Sequence, residues 1–168
     1  MYSVDKSSFF WKYLSPGQKG LIDEGLYLLN DIDEHPDLNI TDFSYLVFPF
    51  AKAYEGFLKE LFKDLGFISE NTYNSNHFRI GKALNPHLER VLRGESVYDK
   101  IVQSTGGRDL ADEMWDIWRR GRNLVFHYFP HNLKALSKTE AEMLIQQILE
   151  IMKKSVEIYK GKIKPTFT

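Results

Sequence analysis

At 168 residues the chain has the length of one domain and enough sequence to bury a substantial apolar core. Its composition, 43% hydrophobic and 27% charged with a formal net charge of -1, is that of an ordinary globular protein; it excludes global attraction to a polyanion, so nucleic-acid binding needs a local basic patch. With no cysteine, disulfides and thiolate metal sites are excluded and a cytoplasmic location is expected. The opening "MYSVDKSSFFWKYLSPG" lacks the layout of a signal peptide, and no apolar run reaches membrane-spanning length, so no membrane partner is expected.

Helical periodicity dominates the chain. A short aromatic segment, Phe9 to Leu14, precedes Ser15-Pro16, a cap followed by proline at the first helical position. The spacing predicts a helix from about Pro16 to Ile32, with Leu21, Ile22, Gly25, Leu28 and Leu29 on one face. Asp33 to Asn39, which contains Pro36, reads as a loop. Asp42 is placed to cap a long helix that Gly66 stops near Leu65. Pro49 inside it should kink it or split off its first turns. Its first half is apolar nearly all round and should be covered on several sides.

"SENTYNSN" reads as a loop, with short helices at about Pro86 to Arg93 and Ser96 to Gln103 and a break at Gly106-Gly107. A third long helix is expected from Arg108 to Phe129, ended by Pro130. Ser137 with Glu140 forms a capping-box pattern opening a last helix to about Lys160. No segment alternates as a strand should. The expected fold is therefore all-α, a bundle of four long helices with short helical insertions, in a single domain over 1–168. Within it, 1–40 forms an N-terminal helical extension and first helix.

The stretch "WRRGRNLVFHYFPHN" concentrates three arginines and two histidines before a proline-terminated helix end. On a helical projection from Trp118, the apolar stripe is Ala111, Met114, Trp118, Val125 and Phe129, and Arg122 falls about 40° from its centre on the buried side. Unpaired burial of a guanidinium is prohibitive, so Arg122 must be paired or must line a cleft or interface.

Arg122, the polar Asn123 beside it, and His127 after four intervening residues resemble the hallmark of the HEPN superfamily of all-α bundles, many of them RNases. The helix "FPFAKAYEGFLKELFKDLGF" and the final "TEAEMLIQQILEIMKKSVEIYK" are similar to those of the RNase LS family of toxins, and the likeness covers about Thr41 to Lys160. The resemblance implies metal-independent endoribonuclease chemistry with no cofactor. The ribose 2′-hydroxyl attacks the adjacent phosphate and leaves a 2′,3′-cyclic phosphate. His127 moves the proton, Arg122 holds the phosphate oxygens, and Asn123 orients phosphate or imidazole. Glu55 matches an acidic position of the family and would fix Arg122 or the histidine tautomer; a solvated helix glutamate is the alternative. Arg119 and Arg120 are candidate RNA-phosphate contacts, with exposed helix charge as the alternative.

On an uninterrupted helix Arg122 and His127 lie about 140° apart. Either the helix loosens before Pro130, or the site is completed across a homodimer, as the resemblance implies. A toxin or phage-defence effector is the implied setting, with an antitoxin protein as a partner. Some members carry a modifiable tyrosine two residues after the histidine; Phe129 stands there, so that regulation is not expected. A non-catalytic HEPN-like module binding RNA or protein is the alternative function, and a structural bundle with Arg122 paired to Glu55 is another.

Other chemistries are weaker. The acidic run around Asp31, Asp33 and His35 has no Glu-x-x-His pair and reads as a solvated face followed by a turn, so no metal is expected. The aromatics Phe9, Phe10, Trp11 and Tyr13 can stack bases, but packing onto the bundle is the better reading.

Overall fold

The structure, a computed structural model, describes residues 2–128 and 130–165, less the side chains of Arg90, Leu92, Asn123 and Leu124. Among the described residues the fold is all-α, with no strand. A five-residue helix, α1 (Phe9–Tyr13), leads into α2 (Pro16–Glu34). Ser15 and Gln18 form a reciprocal capping box there, and Pro16 occupies the first turn, where its missing N–H costs nothing.

The long α3 (Ser44–Asp64) starts one residue later than the sequence suggests, with Phe43 at its cap position. Asp42 instead accepts bonds from the Ser44 N–H at 2.9 Å, the Ser44 hydroxyl at 2.6 Å and the Leu136 N–H at 3.1 Å. It therefore ties the start of α3 to the loop before the last helix. The helix continues through Pro49 without splitting. Proline removes one backbone bond, and Pro49 sits buried within the helix. The expected cover on several sides is incomplete, since Tyr45 and Phe48 are exposed.

Two short helices, α4 (Glu70–Tyr73) and α5 (Ile80–Ala83), follow. α4 falls inside the segment read as a loop; it exists because Ser69 caps it by accepting from the Thr72 N–H at 3.1 Å. A 3₁₀ turn at Arg90–Glu95 precedes α6 (Val97–Thr105), which Gly106 closes at φ 75°, a conformation open to glycine.

The expected helix from Arg108 to Phe129 is not one α-helix. Its regular part, α7 (Asp109–Trp118), widens into a π-helical turn over Arg119–Leu124. At Gly121 this turn packs closely on the last helix: a Cβ there would sit 3.1 Å from Ile148 Cδ1. Phe129, part of the expected apolar stripe, lies outside the described residues. A 3₁₀ turn at Pro130–Asn132 leads to α8 (Lys138–Tyr159), opened by the Ser137–Glu140 capping box.

α3 is the central element, packed against α2 on one side and α8 on another and touching the π turn. Phe50, Phe57, Leu58, Leu61 and Phe62 of α3 are fully enclosed. α2 approaches because Gly25 faces the Phe50 ring; a Cβ at Gly25 would fall 2.4 Å from Phe50 Cε2. The buried Tyr54 hydroxyl donates to the Met114 carbonyl at 3.1 Å and joins α3 to α7. Phe10, Trp11 and Tyr13 are buried in this core, so they pack onto the bundle instead of offering free faces to bases. None of the described helices is long and apolar enough to cross a membrane.

Candidate functional site

The π turn determines where Arg122 goes. A turn closed between residues i and i+5 is wider than an α-turn, so each residue advances by less than 100° and the α-helical projection fails from Arg119 onward. Arg122 is accordingly not buried: its side chain is 45% exposed. It lies above the Trp118 ring, with Cζ 5.7 Å from the ring centroid, and its Nε donates to Glu55 Oε2 at 3.4 Å. The expectation placed Arg122 on the buried side of the helix; instead it stands half-exposed at the rim of a groove, paired with Glu55.

Glu55 holds two cations, Arg122 and, one turn along α3, Lys59 at 3.2 Å. Such half-exposed pairs contribute about 0–1 kcal/mol each, so they position side chains more than they stabilise the fold. The three residues line an open groove of about 910 Å³ between the start of α2, one face of α3 and the π turn. Phe48, Lys52 and Phe126 line it at one end, and Gln18, Glu60 and Tyr73 at the other. Burial raises the pKa of Glu60 above the usual carboxylate range. The bond it accepts from Gln18 Nε2, at 2.6 Å, and nearby Lys63 oppose that shift.

The other expected site residues are dispersed. His127 is exposed on the bend beyond the π turn, outside the residues lining the groove. The Asn123 side chain lies outside the described set. Arg119 and Arg120 both pair with Asp116, at 3.2 and 2.7 Å, and Arg120 also donates to Gln147 at 2.9 Å. That second contact turns Arg120 toward α8, where it borders a separate cleft of about 270 Å³ with Val125, Met143 and Gln147. The structure thus brings Arg122 and Glu55 together, and His127 is not among the residues that line their groove.

The segment carrying His127 is anchored at its far end. Asn132 donates to Asp42 Oδ2 at 3.4 Å, and the Phe43 N–H donates to the Leu136 carbonyl at 3.0 Å. His131 and Asn132 both have positive φ, 58° and 53°, which reverses the chain there. Among the described residues no group of three or more His, Asp or Glu side chains is placed to hold a metal ion. The acidic residues Asp23, Asp31 and Asp33 pair with Lys6, His35 and Lys138 at the surface.

Sequence reasoning missed Phe48, Lys52 and Phe126. The available signal was an aromatic and a lysine four apart on α3, a pair that shares one face of a helix. No protein-family model matches the sequence, and no curated protein or solved structure matches it.

Proposed function

We propose that this chain is a metal-independent endoribonuclease of HEPN type, working as a homodimer. The observation that supports the reading most is the setting of Arg122. A guanidinium held by a carboxylate and an indole stands on a wide helical turn at the rim of an open groove. π turns of this kind occur often at functional sites, and an arginine fork suits phosphate oxygens.

In the proposed reaction the 2′-oxygen forms a bond to phosphorus while the bond to the 5′-oxygen breaks. The His127 that acts at the groove comes from the other copy: it takes the 2′-hydroxyl proton, and water protonates the leaving 5′-oxygen. Arg122 offsets the charge of the pentacoordinate state. Asn123 orients the phosphate, Glu55 fixes the Arg122 fork, and Arg119 and Arg120 contact flanking phosphates. Dimerisation supplies the imidazole that the groove of one copy does not contain.

The exposed position of His127 outside the groove favours one second reading, a non-catalytic module that binds RNA or protein through the same surface. As a toxin or phage-defence effector countered by an antitoxin protein, the nuclease would arrest growth when expressed, and Arg122→Ala and His127→Ala would be tolerated. Equal toxicity of the wild type and both variants removes the nuclease reading.

A further inference from the structure

We infer that the groove beside Arg122 is a single-strand subsite, in which a nucleobase stacks on Phe48, braced by Phe126, while the backbone phosphates run along Lys52 and Lys59 to Arg122. The inference rests on the nuclease reading for its substrate, and it adds residues that the HEPN-like motif does not contain.

Phe48, Lys52, Glu55 and Lys59 succeed one another at four, three and four residues, so they form one stripe on α3. Eleven residues at 1.5 Å each make that stripe about 16 Å long. At its upper end Phe48 is 52% exposed, an unusual state for so large an apolar side chain. Its ring meets Phe126 edge to face, centroids 5.5 Å apart, which holds it in one orientation. Phe126 follows Arg122 by four residues, just past the π turn, so one short stretch of chain supplies both the brace for Phe48 and the phosphate fork.

Charge along the groove favours an anion. Lys52 is exposed and has no carboxylate partner among the described residues. The Lys59 and Arg122 charges meet at a single carboxylate, Glu55. Glu60 is the other acid in the lining, so three cations, Lys52, Lys59 and Arg122, face two carboxylates there. An aromatic platform beside a track of cations is the chemistry of sequence-tolerant single-strand binding, because every base has a face to stack. A duplex keeps its bases paired and stacked, so it cannot use Phe48.

The test is fluorescence anisotropy of the full chain with a labelled 2′-O-methyl oligoribonucleotide, which has no 2′-hydroxyl to react, and with its duplex. The single strand is expected to bind more tightly than the duplex. Phe48→Ala should weaken it about 5- to 150-fold, the range of base–aromatic stacking, and Phe48→Trp should restore it. Lys52→Ala should lower the slope of log affinity against log salt by about 0.7. Unchanged far-UV circular dichroism and Tm of these surface variants would confirm that the fold is intact. Equal binding by wild type, Phe48→Ala and Lys52→Ala overturns the subsite, as does no preference for the single strand. If the predicted binding is seen but the matching RNA is not cut in EDTA, the subsite stands and the nuclease reading falls. If RNA is cut while the variants bind as wild type, only the subsite falls.

Discussion

Arg122 and Glu55 join the π turn to α3 through one contact, Nε to Oε2 at 3.4 Å, with the same carboxylate also holding Lys59. The contact sits at the rim of an open groove with both side chains partly exposed, so its stabilising effect is small. A double-mutant cycle of Glu55→Gln and Arg122→Ala in urea unfolding should give a coupling below about 1 kcal/mol. A coupling of several kcal/mol would make the pair a structural strut and weaken its assignment to substrate.

At Gly25, α2 comes close against the Phe50 ring of α3. Alanine there gains about 1 kcal/mol of helix propensity, but its Cβ would fall 2.4 Å from the ring of fully buried Phe50. Overpacking of this kind costs about 1–3 kcal/mol. Gly25→Ala should therefore lower the urea midpoint at unchanged slope. A higher midpoint would show that Phe50 moves aside freely.

The sequence made the long helices and most of their ends legible because those signals are local. Ser15, Ser137, Gly66 and Gly106 act on the turn beside them, whatever the rest of the chain does. The π turn was not legible: no local residue pattern marks it, and at Gly121 it packs closely on Ile148, a residue of a helix that follows later in the chain. With that turn Arg122 stands at the rim instead of on the buried side. α4 and α5, at four residues each, are too short to show a period. Phe48 was hidden by its neighbours: in a segment apolar on every side, periodicity cannot mark the one aromatic left in solvent.

Acid should loosen the loop that carries His127. Burial opposes the charge on Asp42, but the bonds from Ser44, Leu136 and Asn132 outweigh it and hold the carboxyl below its ordinary value. A folded pKa below the unfolded one means stability present above about pH 4 and lost as pH falls through the folded value. Asp42→Asn should thus be less stable than wild type at pH 7, with the gap shrinking in acid. A gap that is constant from pH 7 to pH 3 would contradict this.

Glu60 should behave oppositely. Its folded pKa is raised, chiefly by burial, so any stability it adds is present at low pH and is lost as pH rises through the folded value. Glu60→Gln keeps an acceptor for Gln18 without the charge. It should raise Tm at pH 7 and change it little at pH 4. A lower Tm at pH 7 would show that the ionised form is stabilised by its surroundings.

The most direct measurement is the chemistry of the ends. Purified protein incubated with single-stranded RNA in excess EDTA should leave fragments bearing 2′,3′-cyclic phosphates and 5′-hydroxyls. Arg122→Ala and His127→Ala, both at exposed positions, should fold normally and cut at least about 100-fold more slowly, the scale set by loss of a general acid–base group or an oxyanion contact. Intact RNA with the wild type, or equal cutting by all three proteins, would contradict the account.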